Sequence, residues 1–236
     1  MRAVALRVLP GPIRQIGYVV TDLDQALASW VELGVGPWLV IRGLPMRALY
    51  RGEPCQTTLS LAMTNSGELQ IELIYQHDDT PSIFTEFLAA NGPGYHQLAY
   101  WAEDFDATMK AVEDAGWPVV WSGGEDLGVR FAYVEPPNSP ATIVEISEFT
   151  EGQAGAARFI RDAAANWDGS DPISRNGRLA ICVHSGALSA LRSPLPNAHK
   201  SPTCCPSSPC RRPSSVRLPP TSARRQRRPQ SWTRRS

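Results

Sequence analysis

The sequence predicts an α+β domain of two tandem βαβββ modules, their strands curling into one cupped mixed sheet around a central cleft. Three observations predict it. One segment of the chain recurs at constant spacing, each copy passes from strand-like to helix-like patterning, and strand-like runs separated by turn residues follow each copy.

The recurring segment is Gln15-Ile-Gly-Tyr-Val-Val-Thr-Asp-Leu-Asp-Gln-Ala, which returns as Gln97-Leu-Ala-Tyr-Trp-Ala-Glu-Asp-Phe-Asp-Ala-Thr. The offset of 82 residues holds without a gap from Gln15/Gln97 to Gly34/Gly116. Each copy begins as a strand, with Ile16, Tyr18 and Val20 on one face and Gln15, Gly17 and Val19 on the other. Asp22 and Asp104 stand where a helix N-cap belongs, their carboxylates able to accept the first unpaired N–H groups. Leu23, Ala26, Leu27, Trp30 and Leu33 then keep helical spacing, and Gly34 and Gly116 end the helices.

After the first helix, Thr57 to Thr64 and Leu69 to Tyr75 flank Asn65-Ser66-Gly67, a hairpin signature. Val129 to Val134 and Thr142 to Ser147 flank Pro136-Pro137-Asn138-Ser139 in the second half. Pro81-Ser82 opens a connecting helix, Ile83 to Ala90. Residues 151–167 predict a last helix, on the surface. The domain is therefore expected at residues 1–150, a helical extension at 151–170 and a tail at 171–236.

The formal net charge of zero is a cancellation. Asp171 is the last acidic residue, and twelve Arg and one Lys follow it. Residues 1–171 hold ten basic against 23 acidic residues, a formal charge near −13. Such a surface excludes nucleic acid as partner of the domain, since phosphate binding needs a basic face. The tail holds ten of the 21 prolines and too little apolar content to order a chain, so disorder is expected there. Its composition also reads like GC-rich DNA translated out of frame. Four of the five cysteines lie in it, and Cys55 alone in the domain can make no internal disulfide, which points to a cytoplasmic setting. No apolar run reaches the ~20 residues of a membrane span. Met1 to Leu9 has no apolar core or cleavage site, so no signal peptide is read.

A Gln-Ile-Gly strand, the Asp22-Leu-Asp24 helix start, the Ile71-Glu72-Leu73 strand and the Val144-Glu145-Ile146 strand resemble the vicinal-oxygen-chelate superfamily. Glyoxalase I, methylmalonyl-CoA epimerase, extradiol dioxygenases and the bleomycin and fosfomycin resistance proteins belong to it. The resemblance covers about residues 11–150 and is nearest the glyoxalase-like and epimerase-like branch; Gly36-Pro37-Trp38 and Gly92-Pro93-Gly94-Tyr95-His96 add to it. Carried over position by position, it implies metal ligands at Gln15, Glu72, Gln97 and Glu145. The residues agree on direction: each glutamate lies between two apolar neighbours, so alternation turns both carboxylates to the opposite face.

The family usually has His where Gln15 and Gln97 stand. Two amides and two carboxylates suit Mg²⁺, Mn²⁺ or Co²⁺ better than Ni²⁺ or Zn²⁺, and make iron-dependent ring cleavage a poor fit. His96 neighbours Gln97, but alternation points it away from the cleft unless a β-bulge swaps the two. The resemblance implies a lyase or isomerase that abstracts a proton next to a carbonyl of a small oxygenated or acyl-CoA-like substrate, with Glu145 or Glu72 as base. A metal-free small-molecule-binding protein of bleomycin-resistance type is the alternative. Trp38, Tyr50 and Trp101 are candidate stacking surfaces, Trp101 equally a core residue. Arg51 is a candidate for a substrate carboxylate or phosphate, or a solvated loop arginine. The family also implies a homodimer.

Overall fold

The computed structural model describes residues 8–137 and 143–174. The first half runs β1 (Gln15–Val19), α1 (Leu23–Glu32), β2 (Trp38–Tyr50), β3 (Glu53–Ser66) and β4 (Leu69–Gln76). After α2 (Ile83–Asn91), the second half runs β5 (Gly94–Ala102), α3 (Phe105–Asp114), β6 (Val119–Gly123), β7 (Phe131–Val134) and β8 (Ile143–Glu148). Then follow α4 (Glu151–Ala165) and the short β9 (Ile173–Ser174).

Local chemistry starts and stops the helices. The Asp22 carboxylate accepts from the Gln25 N–H and the Asp104 carboxylate from the Ala107 N–H, each at 2.9 Å. Gly34 (φ +77°) and Gly116 (φ +68°) follow the two C-caps in the left-handed region, where a Cβ would be strained. Ser82 caps α2 in a capping box closed by Thr85.

The eight strands β1–β8 form a curved mixed sheet that closes into a barrel-like cup. Around the ring the order is β2-β3-β4-β1-β5-β8-β7-β6, and β6 pairs with β2 again. β1 lies parallel to β4 and antiparallel to β5, which in turn lies parallel to β8. One set of strand side chains faces out beneath the helices: Ile71 and Leu73 pack against Leu23 and Leu27 of α1, and Val144 and Ile146 against Phe105 and Val112 of α3. The other set faces into the cup, where Val19, Ile74, Phe84, Trp121 and Tyr133 pack together.

Two features differ from the sequence expectation. Residues 38–50, which carry the candidate stacking residues Trp38 and Tyr50 and show no continuous alternation, form the long strand β2. A bulge at Arg42-Gly43 hides it: one extra residue faces Ser60, and inward positions change from Leu39 and Ile41 to Met46 and Ala48. The last helix is no plain surface helix, because α4 packs on β3 and buries Ala156 and Ile160. The tail expected from residue 171 is described only to residue 174, where Ile173 pairs with Trp38 beside β2. The rest of it lies outside the described residues. No helix among the described residues is long and apolar enough to cross a membrane.

Candidate functional site

The cup's inner face here is set by alternation in three strands, β1, β4 and β8, and by a bulge in β5 between β1 and β8. β1 turns Gln15, Gly17 and Val19 inward, β4 turns Gln70, Glu72 and Ile74, and β8 turns Glu145 and Ser147. In register, Gly17 faces Glu72 on one side and Gln97 on the other. The Gln97 side chain runs across the space that a Gly17 Cβ would occupy.

There it meets both acids. The Gln97 Nε2 donates to Glu145 Oε2 at 3.1 Å, to the Tyr133 hydroxyl oxygen at 3.2 Å and to Glu72 Oε2 at 3.4 Å. With its nitrogen turned to the acids, its oxygen faces His96, whose Nδ1 donates to it. The register slips by one residue here, so His96 is the extra residue of a β-bulge. The bulge does not swap the two residues. It turns both inward, and both are fully buried.

Electrostatics follow from burial. Desolvation, with the Glu145 charge nearby, holds the Glu72 carboxyl well above the usual carboxylate range. Desolvation pushes Glu145 up to about 7, against hydrogen bonds from Tyr133 and Gln97 that favour its charged form. The same burial, with both acids close, raises the Tyr133 phenol well above its ordinary value. His96 falls to about 4 because its ring is enclosed by Phe84 and Phe87. It is neutral at pH 7, and its Nε2 is a buried acceptor with no partner among the described residues.

Above the acids lies a cavity of about 140 Å³. Gln15, Glu72, Tyr133, Glu145 and Ser147 form its polar floor, and its walls include Met46, Leu59, Phe84, Trp101, Trp121 and Phe131. Helix α4 covers one side with Gln153, Ala156, Ala157 and Ile160. No Arg, Lys or His lines it among the described residues.

The sequence candidates divide accordingly. Glu72, Gln97 and Glu145 meet in one hydrogen-bonded cluster; both acids line the cavity, as does Gln15, which donates to Gln70 at 2.8 Å, whereas Gln97 is fully buried and does not line it. Trp101 also lines the cavity, stacked on Phe149. Trp38 does not: it is fully buried on the outer side beneath α1, its indole N–H donating to the Val35 carbonyl. Tyr50 and Arg51 do not line it either. Both bind Glu86 on α2, and Arg51 also binds Glu135 at 3.0 Å, so its guanidinium is engaged outside the cavity. Sequence reasoning missed Tyr133, Gln70 and the α4 residues. Tyr133 was within reach, because it lies opposite Glu145 in the β7–β8 hairpin.

Among the described residues, no three or more of His, Cys, Asp and Glu gather as a metal-binding group. The oxygens of Glu72, Glu145 and Gln15 nevertheless fit a hard divalent ion in donor type, and two buried acids with no Arg, Lys or His beside them in the described cavity lining fit it in charge. Gln97 fits only after its amide turns over, since it now presents nitrogen.

Residues 14–133 match the family model described as Glyoxalase/Bleomycin resistance protein/Dioxygenase superfamily. Among solved structures, the chain is similar to the methylmalonyl-CoA epimerase of Mycobacterium tuberculosis, with 22% identity, 65% of this chain and 97% of that chain covered, and a TM-score of 0.44. A variant of the Streptomyces coelicolor methylmalonyl-CoA epimerase in complex with 2-nitronate-propionyl-CoA gives 19% identity, 59% and 95% coverage, and a TM-score of 0.42. No curated protein sequence matches the chain. With just over half of its residues matched by the family model, the chain belongs to the glyoxalase/bleomycin resistance/dioxygenase superfamily.

Proposed function

We propose that the chain is a proton-transfer enzyme of lyase or isomerase type, acting next to a carbonyl in a small oxygenated or acyl-CoA-like substrate. The observation that carries this reading is the Glu72–Glu145 pair, joined by one amide and held above the ordinary carboxylate range. Two coupled acids of this kind share a proton near neutral pH, so one is a base while the other is an acid. The ionised carboxylate takes the proton from carbon, and the electron pair moves to the carbonyl oxygen. The Tyr133 hydroxyl, which lines the cavity, donates to that oxygen. The protonated acid returns a proton to carbon. We read the two halves as tandem βαβββ modules, each supplying one amide and one acid.

A divalent ion held by Gln15, Glu72, Glu145 and a turned Gln97 would add positive charge beside the developing enolate. The test follows deuterium uptake from D₂O into the carbon acids of a carbonyl panel by NMR. Glu145→Gln and Glu72→Gln are expected to lower uptake at least about a hundredfold, the scale of a lost acid–base group. Wild-type rates in both variants refute the proposal.

A second reading, a metal-free small-molecule-binding protein of bleomycin-resistance type, is favoured by the mainly apolar walls and by the Gln97 N–H standing between the acids. Metal content by plasma mass spectrometry, with ligand-dependent melting in and out of EDTA, separates the two.

A further inference from the structure

The cavity's dimensions and lining describe a ligand. Its volume of about 140 Å³ is near the ~150 Å³ of an apolar protein cavity that accepts one benzene molecule. Phe84, Trp101, Trp121 and Phe131 provide ring faces and edges around it.

The floor has a definite polarity. Glu72 is only 7% exposed and lines the cavity, yet its one hydrogen bond is the long 3.4 Å contact from Gln97. Its second oxygen accepts from no protein donor among the described residues. A carboxylate or phosphate placed above it would meet two acids with no Arg, Lys or His to offset them. Arg51 is tied to Glu86 and Glu135 outside the cavity, and Arg14, whose guanidinium lies 5.8 Å from the Trp101 ring centroid, does not line it.

The ceiling is α4, which lies beyond the family-matched residues 14–133. Gln153 holds its first turn to Ser147 at 2.9 Å, and Ile160 seats its far end among Leu39, Ile41 and Met63. Between these anchors the helix turns the small residues Ala156 and Ala157 to the cavity. A larger side chain there would fill the space above the acids.

We infer that the cavity takes one non-anionic, ring-sized ligand whose O–H or N–H group donates to Glu72, and that Ala157 on α4 sets its size limit. This rests on reading the cavity as the ligand site, and it narrows the substrate class: any anionic portion stays outside the cup.

The test is calorimetric binding at pH 8 by the full chain, with two near-isosteric pairs of probes. Phenol is expected to bind at least about tenfold tighter than toluene, and benzamide at least about tenfold tighter than benzoate, the scale of one buried hydrogen bond or charge mismatch. Glu72→Leu should bring phenol down to toluene, and Ala157→Leu should weaken all the neutral rings at least about tenfold with the melting cooperativity retained. Benzoate matching benzamide, toluene matching phenol, or no ring binding at all in the wild type overturns the inference. So does ring binding that Ala157→Leu leaves unchanged. Deuterium uptake without ring preference leaves the catalytic reading standing and removes this one; ring preference without uptake does the reverse.

Discussion

Gly17 and Gln97 face each other across the β1–β5 ladder, and the absent side chain of the first is the room taken by the amide of the second. Any Cβ at position 17 therefore displaces the amide that hydrogen-bonds both acids. Gly17→Ala is expected to destabilise the fold by about 1–3 kcal/mol, the usual cost of overpacking, and to release Gln97 from Glu72 and Glu145. Urea unfolding measures the first effect. Loss of deuterium uptake beyond what stability accounts for measures the second, and a wild-type rate would break the link between the two residues.

Stability should fall as pH rises. The Glu145 carboxyl is held at about 7 in the fold against an ordinary 4.5, so between these values the folded state binds more protons than the unfolded chain. Raising the pH through that window favours unfolding, and a shift of this size corresponds to about 3 kcal/mol. Urea midpoints from pH 5 to 8 should therefore decrease, and Glu145→Gln should flatten the slope. Midpoints that rise over this window contradict the buried, uncompensated pair.

Activity should run the opposite way, because the base must be ionised. The acidic limb of kcat/KM is expected near pH 7. The Tyr133 hydrogen bond favours the charged form of Glu145, so Tyr133→Phe should move that limb to higher pH. A pH profile with an unmoved limb would show that the phenol does not act on Glu145.

Helix α4 should be worth more to stability than its exposed sequence suggests. Ile160 is 3% exposed and packs on Leu39, Ile41 and Met63. Ile160→Ala is expected to cost about 2–4 kcal/mol by chemical denaturation, the range for a large-to-small change in a core. A cost below about 0.5 kcal/mol, the surface range, would mean that the helix does not pack as described.

What the sequence made legible was what local chemistry decides. Asp22 and Asp104 cap helices, and Gly34 and Gly116 end them, because each effect spans only a few residues. The direction of Glu72 and Glu145 follows from apolar neighbours within the same strands. β2 was hidden because a single extra residue at Arg42-Gly43 reverses the phase that alternation relies on. Tyr50 and Arg51 were placed at the cleft because their partners, Glu86 and Glu135, come from segments 35 to 84 residues away. Trp38 faces outward because β2 presents it beneath α1, a choice that no local pattern states. The role of α4 was equally out of reach, since an apolar helix face does not say what it will cover.

The bulge at His96 gives this wall of the cup an evolutionary latitude. Ordinary pleating hides every second residue from a ligand, so altering a site's donors needs changes at spaced positions. Here two consecutive codons write side chains that project into the same interior. An imidazole already resides there, one peptide unit from the amide that meets the acids, and exchange of these neighbours would redraw the cluster's donors while leaving the backbone path intact.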